Sequence, residues 1–288
     1  MKMARAIKPH ARILPTLAAC LFALYALVPI AYLLFSTTKT NGELFATSAL
    51  WFGSQLNLSE NLHELLTARD GVFLVWMRNS FTYAILASLG AAFFSALAAY
   101  AFSKYRFPGS RILYAVTLGA VMVPPTAIVL PTFLLLSSWG MVGTAASVIL
   151  PQIPFPLGVY LLKAFIDDAV PDELIEAARM DGAGEITIFT TIALRLIAPA
   201  LITVFLLAFV SSWNNFFLPL VMINSPEAMP LTVGLAGWFQ QANMGSVSEV
   251  RMPVVFAGAL VGTLPVLIVF LLLQRFWQGG LASGAVKG

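Results

Sequence analysis

The segment Glu176-Ala-Ala-Arg-Met-Asp-Gly-Ala183 is charged and polar, whereas most of the chain around it is apolar. Two long apolar segments flank it, and its own composition is unsuited to the hydrocarbon core of a membrane. This arrangement is typical of a loop that leaves the membrane and lies in water. We therefore interpret the segment as the centre of a docking loop, residues 167–195, in a chain whose remainder spans a membrane.

Local signals predict a short helix within this docking loop. Asp172 and Glu173 follow Pro171, which suits a first helical position, and the helix dipole favours acids in a first turn. Gly182 is a natural helix stop. The small or apolar residues that we expect on one face are Leu174, Ala177 and Ala178. Such a shallow face lets another protein approach closely, although composition alone also allows a loop that merely lies at the membrane interface.

The whole chain has the composition of a membrane protein. Of its 288 residues, 59% are hydrophobic and 10% are charged, and the mean hydropathy is +0.88. A soluble domain carries about 25% charged residues, so this chain cannot cover a globular surface with polar groups. The single cysteine, Cys20, excludes an internal disulfide, and neither His10 nor His63 has a second ligand at metal spacing.

Apolar runs predict an all-α integral membrane protein with six transmembrane helices, forming one domain over residues 1–288. Pro124-Pro125 breaks the third run. The first run is too long for the core of a signal peptide, so we expect an uncleaved helix there. The predicted spans cover residues 13–35, 80–102, 112–137, 142–165, 197–223 and 253–276.

The distribution of Lys and Arg predicts the orientation of these spans. Six spans place both termini on one side of the membrane, and that side receives twelve of the 16 Lys and Arg residues. Because cytoplasmic loops carry the excess of basic residues, we expect both termini and the 167–195 loop in the cytoplasm. The polar loops at 36–78 and 224–251 then face outward.

The pattern Glu176-Ala-Ala-x-x-Asp-Gly-Ala183, followed by Phe189, Ile192 and Pro199, resembles the EAA loop of permease subunits of binding-protein-dependent ABC importers. In that family the loop forms a coupling helix, between the fourth and fifth spans here, that sits in a groove of the ATP-binding subunit. The residues to which the resemblance assigns this role are Leu174, Glu176, Ala177, Ala178, Asp181, Gly182 and Ala183.

One position departs from the family pattern. Arg195 stands where the family usually has proline after Leu194. We therefore expect a smaller bend at this helix entry. The Arg195 side chain either extends to the membrane interface or meets an acid such as Glu185.

Further segments extend the resemblance over most of the chain. Tyr100-Ala-Phe-Ser-Lys-Tyr-Arg-Phe-Pro-Gly109 is similar to the family's first cytoplasmic turn, and Trp213-Asn-Asn-Phe-Phe-Leu-Pro219 to its fifth-helix segment. Gln274-Arg-Phe and the tail Gly280-Leu-Ala-Ser-Gly-Ala-Val-Lys-Gly288 resemble the ending of the carbohydrate branch, the maltose-type inner-membrane permeases. The resemblance therefore implies sugar uptake.

The chain lacks the Gly-x-x-x-x-Gly-Lys-Ser/Thr loop that cradles phosphates, so we expect no cofactor in this chain, with ATP and Mg²⁺ on a partner subunit. The acids of the 167–195 loop have no His or metal cluster beside them, and we expect a transport subunit rather than an enzyme. As partners the resemblance implies a second homologous permease subunit, two ATP-binding subunits and an extracytoplasmic solute-binding protein, beside membrane lipid. The basic residues do not cluster as a nucleic-acid surface requires.

Trp213, Asn214 and Asn215 are the candidates for a substrate path. Amides beside an aromatic face suit a sugar, but Asn and Ser also commonly form hydrogen bonds between spans. In the maltose-type transporter the other permease subunit dominates sugar contact.

Two other functions remain open. One is an ABC permease for another solute, such as a glycerophosphodiester, a peptide or an amino acid, against which the carbohydrate-type tail argues. The other is an ion-coupled secondary carrier. Such carriers usually keep ionisable groups at mid-span, and spans two to six have none deep inside.

Overall fold

The computed structural model describes residues 10–244 and 250–284, with side chains described for 13–244 and 250–274. Every regular element in this part of the chain is a helix, which confirms the predicted all-α class. Lys2, Arg5 and Lys8, which enter the predicted orientation, lie outside the described residues, as do residues 285–288 of the tail.

The shortest α-helices have three residues, and the longest range, α3, consists of two helical parts joined by a kink at Ala68–Gly71, where the backbone is not helical. A π-helix, Ile188–Ala193, lies between α9 and α10. The α-helices are α1 His10–Thr37, α2 Asn41–Ala46, α3 Leu58–Lys104, α4 Ser110–Val121, α5 Val129–Ser138, α6 Ala145–Ile149, α7 Pro156–Ala169, α8 Asp172–Met180, α9 Glu185–Thr187, α10 Leu194–Leu196, α11 Ala198–Trp213, α12 Phe217–Met222, α13 Leu231–Asn243 and α14 Met252–Gly284.

Four described helical segments are long and apolar enough to cross a membrane: Ile13–Ser36, Leu58–Lys104, Ala145–Ala169 and Met252–Gln274. Two bent pairs of shorter helices also qualify if each pair counts as one span, which allows up to six. The number of six spans and the orientation stay predictions.

The first bent pair contains the break predicted at Pro124-Pro125. The segments Ser110–Val121 and Pro125–Ser138 meet at 104°. Proline cannot donate the backbone hydrogen bond of a helix interior and restricts the residue before it to an extended conformation. Pro124 accordingly has φ −58 and ψ 126. The predicted break is confirmed.

The predicted fifth span, 197–223, is interrupted. Helix α11 ends at Trp213, and α12 begins only at Phe217. Asn214 caps α11, and its side-chain amide donates to the carbonyl oxygen of Val210 at 2.9 Å. Local hydrogen bonds of this kind let asparagine compete with the regular helix. The expectation of one continuous helix is therefore wrong here.

The outward loop predicted at 224–251 contains a helix. The segment Leu231–Asn243 forms α13, and the Leu231 and Val233 side chains are buried. The charged residues lie toward the ends of the region, whereas its middle is apolar. The interpretation of this region as a polar loop is therefore wrong over α13.

By its contacts the chain divides into two units, Met1–Gly71 with Gly237–Val261, and Val72–Ala236 with Gly262–Gly288. In the first unit, the Arg251 Nε atom lies 2.8 Å from Glu64 Oε2. The second unit contains α8 and the candidate substrate path. The single domain over residues 1–288 stays a prediction.

Candidate functional site

Helix α8 begins one residue later than the sequence predicts. Pro171 is the N-cap, with φ −63 and ψ 139, so Asp172 takes the first helical position. The placement of Pro171 inside the helix is therefore wrong. Asp172 and Glu173 do lie in the first turn, where the helix dipole favours their negative charge.

The end of α8 is a Schellman turn, in which two backbone N–H groups satisfy the last carbonyl groups of the helix. Gly182 N–H donates to Arg179 O and Ala183 N–H donates to Ala178 O, both at 3.0 Å. Gly182 has φ +83, a left-handed conformation that favours glycine. A β-carbon there would meet no atom within 4 Å, so conformation rather than lack of space calls for glycine.

The inner face of α8 packs on the core of the second unit. Ile175 is 2% exposed, and Ala178 and Ala183 pack against the same apolar cluster, which α3, α7, the π-helix and α11 also form. Leu174 and Ala177 are exposed instead. The prediction that Leu174, Ala177 and Ala178 share one face is therefore wrong, because Ala178 turns inward with Ile175.

The outer face of α8 combines apolar and acidic side chains. Leu174 is 41% exposed and Met180 is 89% exposed, and the Ala177 side chain is also exposed. The carboxyl groups of Glu176 and Asp181 are exposed on the same segment. This face, held from behind by the buried side of the helix, presents a small apolar surface with acidic edges.

Lys104, the last residue of α3, holds the start of α8. Its Nζ atom donates to Asp172 Oδ1 and to the carbonyl oxygen of Val170, both at 2.6 Å. The Lys104 side chain is 6% exposed and that of Asp172 is 77% exposed. The hydrogen bond and the charge of Lys104 lower the pKa of the Asp172 carboxyl group. Because a buried ammonium group needs partners, this contact fixes the position of Lys104.

Tyr105, the next residue, holds the end of α8. Its hydroxyl donates to Glu185 Oε2 at 2.5 Å, and Arg179 Nε donates to Glu185 Oε1 at 2.7 Å. These two hydrogen bonds, the one from Arg179 first, lower the pKa of Glu185. Desolvation and the hydrogen bond to Glu185 raise the pKa of Tyr105 to about 12. The phenol therefore keeps its proton for this bond at neutral pH.

Sequence reasoning missed Lys104 and Tyr105 as members of this site. The similarity of their segment, residues 100–109, to the family's first cytoplasmic turn does not assign either residue to the docking loop. Their acidic partners, Asp172 and Glu185, lie 68 and 80 residues further along the chain. The sequence shows only that a basic and an aromatic residue lie at the end of a span. That pattern does not identify acidic partners so distant in sequence.

The helix entry near Arg195 bends strongly although proline is absent there. Segment Glu185–Leu196 meets α11 at 80°. The bend lies at Ile197, which has φ −90 and ψ 2, two residues beyond Arg195. That this bend is smaller than in family members with proline stays a prediction. Arg195 is exposed, and Glu185 pairs with Arg179 instead.

In the candidate substrate path, Trp213 is a packing residue. Its side chain is buried, and its indole Nε1–H donates to the carbonyl oxygen of Gly262 at 3.2 Å. The Phe81 and Phe209 ring centroids lie 5.0 and 5.8 Å from that of Trp213. These contacts connect α11 with α3 and α14 inside the second unit.

Asn214 and Asn215 have different surroundings. Asn215 Nδ2 donates to Gln152 Oε1 at 3.2 Å, and Asn215 Oδ1 accepts from Leu218 N–H at 3.3 Å. Asn214 is exposed, and its described bond is to Val210 of its own helix. Asn215 therefore connects neighbouring segments, whereas Asn214 presents its amide to open space.

A cavity of about 500 Å³ lies beside α11 and α14 in the second unit. Its walls are mostly apolar, and its polar side chains come from Trp213, Asn214 and Thr263. Trp213 and Asn214, two of the three candidate path residues, therefore line one cavity. Asn215 does not line it. Among the described residues, no three His, Cys, Asp or Glu side chains are placed to hold a metal ion.

Known proteins resemble this chain over most of its length. A sequence profile of the family described as binding-protein-dependent transport system inner membrane component matches residues 88–279. The arabinooligosaccharides transport system permease protein AraQ of Halalkalibacterium halodurans is 30% identical over 99% of this chain and 100% of its own length. The trehalose/maltose transport system permease protein MalG of Thermococcus litoralis is 32% identical over 96% of this chain and 97% of its own length.

A solved structure shares the fold. It is described as a bacterial ABC transporter involved in the import of the acidic polysaccharide alginate. The TM-score is 0.76 at 24% sequence identity, and the match covers 94% of this chain and 99% of that chain. The arrangement of helices is therefore one that a solved transporter chain also has.

Proposed function

The chain belongs to the family of binding-protein-dependent transport system inner membrane components, and from this premise we propose that it is a permease subunit of an ATP-driven ABC importer for a sugar. The family match confirms the membership that the EAA pattern predicted. The chain is accordingly a multi-pass protein of the cell's inner membrane, with several helices long and apolar enough to cross it.

The observation that carries this proposal is the outer face of α8. Leu174, Ala177 and Met180 are exposed there, and Glu176 lies beside them. A short helix with an exposed apolar strip fits a groove on another protein. We assign that groove to an ATP-binding subunit, with Asp181 and Gly182 setting the end of the docking helix and Ala178 and Ala183 supporting it from inside.

The proposed mechanism couples α8 to the spans. Closure of two ATP-binding subunits, which carry ATP and Mg²⁺, would pull on α8. That pull would switch six kinked spans from an inward-open to an outward-open cavity. In this scheme the pair Ser110–Val121 and Pro125–Ser138 counts as one span and the fifth span begins at residue 197. Both termini and the 167–195 loop, which contains α8, lie in the cytoplasm.

A sugar is the proposed substrate class. The names of two relatives concern arabinooligosaccharides and trehalose/maltose. Within this chain, Asn214 offers an exposed amide at the cavity, which suits sugar hydroxyls, and the packed Trp213 forms part of the cavity wall. Asn215 supports the path through its bond to Gln152 rather than by contact with sugar.

The functional assembly would contain other chains. We propose a second homologous permease subunit, which shares the sugar contact, and two ATP-binding subunits on the cytoplasmic side. An extracytoplasmic solute-binding protein would deliver the sugar to the outward regions, residues 36–78 and 224–251. Membrane lipid would surround the spans, and no nucleic acid takes part.

Uptake by proteoliposomes tests this function. The chain is reconstituted with its partner permease, ATP-binding subunits and binding protein, and radiolabelled arabinooligosaccharide, trehalose, glycerophosphodiester and amino acid are offered. We expect sugar uptake that needs ATP and persists when an ionophore removes the proton and sodium gradients. Uptake only of a non-sugar solute would contradict the substrate class, and uptake driven by an ion gradient without ATP would contradict the ABC mechanism.

A further inference from the structure

Three consecutive residues at the end of α3 bind three successive parts of the docking loop. Ser103 Oγ donates to Asp167 Oδ1 at 2.5 Å, at the end of α7. Lys104 binds the start of α8, and Tyr105 binds Glu185 just beyond its end. One short segment thus binds the start of α8 directly, and reaches its end through Glu185 of α9, which also binds Arg179 of α8.

We propose that Ser103, Lys104 and Tyr105 form a clamp that makes α8 and residues 72–104 of α3 move as one rigid body. The inference rests on the proposed function in one respect, namely that the ATP-binding subunits impose the movement on α8. It assigns positioning roles to three residues that do not lie on the outer face of α8.

Attachment at both ends is what makes the clamp rigid. Helix α8 has nine residues, and so is about 13 Å long. A helix held only at its middle, by Ile175 in the core, could pivot about that side chain. The Lys104–Asp172 bond at one end and the Tyr105–Glu185–Arg179 contacts at the other oppose such a pivot, because tilting α8 would lengthen one of them.

The bonds of the clamp are of the stronger kind. Lys104 to Asp172 and Arg179 to Glu185 are both charge-assisted, and charged partners make hydrogen bonds shorter and stronger than neutral ones. The Lys104 side chain is nearly buried, so water cannot easily replace Asp172 and the Val170 carbonyl oxygen as its partners. The bonds from Ser103 and Tyr105 are exposed to solvent, so the sheltered Lys104 is the strongest attachment of the clamp.

Helix α3 is in turn packed tightly against its neighbours. A β-carbon added at Gly158 of α7 would lie 2.7 Å from Ser95 Oγ of α3 and 2.8 Å from Val204 Cγ1 of α11. Ser95 Oγ also donates to the carbonyl oxygen of Phe155 at 3.2 Å. A displacement of α3 would therefore act directly on α7 and α11.

Spin-label distance measurements on the full chain in nanodiscs test the clamp. Labels are attached at Leu97→Cys on α3 and Met180→Cys on α8, after replacement of the only native cysteine by Cys20→Ala. Both positions are exposed. With the clamp intact we expect one narrow distance peak. The combination of Lys104→Met and Tyr105→Phe should lose that peak and give a broad distribution.

Two matched substitutions control for a general loss of order. Arg251→Met removes the ion pairs to Glu60 and Glu64, none of which belongs to the clamp, and Tyr160→Phe removes an exposed hydroxyl from α7. Both should keep the narrow peak. Tyr105→Phe alone provides a milder variant if the double substitution fails to fold, and Lys104→Arg should retain the peak by keeping the charge.

The outcomes separate the clamp from the proposed function. Equal widths of the distance peak for the intact and the Tyr105→Phe chains would overturn the clamp. A distance between positions 97 and 180 of the intact chain that changes when ATP-binding subunits and ATP are added would also overturn it. If no ATP-binding subunit associates with the unlabelled chain, the proposed function fails, and the comparison of widths without nucleotide still decides the clamp. A peak that stays narrow and fixed through the nucleotide cycle, and broadens only in the clamp variants, supports it.

Discussion

The backbone N–H of Ala183 donates to the carbonyl oxygen of Ala178 at 3.0 Å, which closes the turn at the end of α8. Gly182 between them has φ +83. We expect Gly182→Ala to lower the free energy of unfolding by about 1 kcal/mol, because a left-handed conformation is strained for residues with a β-carbon. Thermal unfolding of the purified protein measures this loss.

Gly184→Ala is the matched control for that substitution. Gly184 has φ −72 and, like Gly182, no atom within 4 Å of an added β-carbon, so alanine there should cost nothing. Equal losses of unfolding free energy at both positions would contradict the conformational role of Gly182.

The bulkier Gly182→Trp should leave the protein inserted in the membrane, while ATP hydrolysis no longer drives uptake. Intact uptake in that variant would exclude a coupling role.

Asn214 and Asn215 should separate substrate contact from stability. Asn215→Ala breaks the bonds to Gln152 and Leu218 and should lower the free energy of unfolding by about 1 kcal/mol. Asn214→Ala removes an exposed amide, so we expect unchanged thermal unfolding and a raised KM for sugar uptake. A fall in unfolding temperature for Asn214→Ala, with KM unchanged, would assign it to structure instead.

Glu43 gives a pH-dependent prediction for residues 40–54. Its carboxylate accepts from Ser54 N–H at 2.8 Å and from Thr40 N–H at 3.3 Å. Hydrogen bonds from Ser54, and then from Thr40, lower its pKa from 4.5 to about 2. A lowered pKa means that the carboxylate stabilises the folded loop fully above about pH 4.5, and that this contribution is lost as the pH falls through about 2.

Hydrogen exchange of this segment checks the role of Glu43. Glu43→Gln should exchange faster than the unmodified chain at neutral pH, whereas the exposed Glu227→Gln should not change residues 40–54. In the unmodified chain, protection corrected for intrinsic rates should persist well below pH 4.5. Protection that disappears near pH 4.5 would show that these bonds do not hold the carboxylate ionised.

The proposed orientation is tested by labelling from either side of the membrane. Met180→Cys and Phe45→Cys both place a thiol at an exposed position, in a chain freed of Cys20. A maleimide that cannot cross membranes should modify position 45 in right-side-out vesicles and position 180 only in inside-out vesicles. Labelling of both positions from the same side would contradict the six-span arrangement.

Features set by neighbouring residues could be predicted from the sequence. The break at Pro124-Pro125 and the helix stop at Gly182 follow from the backbone limits of proline and the freedom of glycine. The acids in the first turn of α8 follow from the helix dipole. Each of these depends on a few residues that are adjacent in the chain.

Features set by distant contacts could not be predicted in this way. The Lys104–Asp172 and Tyr105–Glu185 bonds join residues far apart in sequence, and periodicity carries no information about them. The 80° bend at Ile197 occurs although position 195 is not proline. The charged residues near the ends of region 224–251 predict a polar loop, whereas its apolar middle forms α13.

The most direct test of coupling through α8 is co-purification with candidate ATP-binding subunits after co-expression. The unmodified chain is compared with one that carries Glu176→Lys and Gly182→Trp, and with a Glu227→Lys control that makes the same charge change at an exposed position elsewhere. We predict that an ATP-binding subunit purifies with the unmodified chain and with the control chain. The double variant should either lose this subunit or retain it without ATP-driven uptake. Absence of any such partner from the unmodified chain, with uptake driven by a proton gradient instead, would contradict the assignment as an ABC permease.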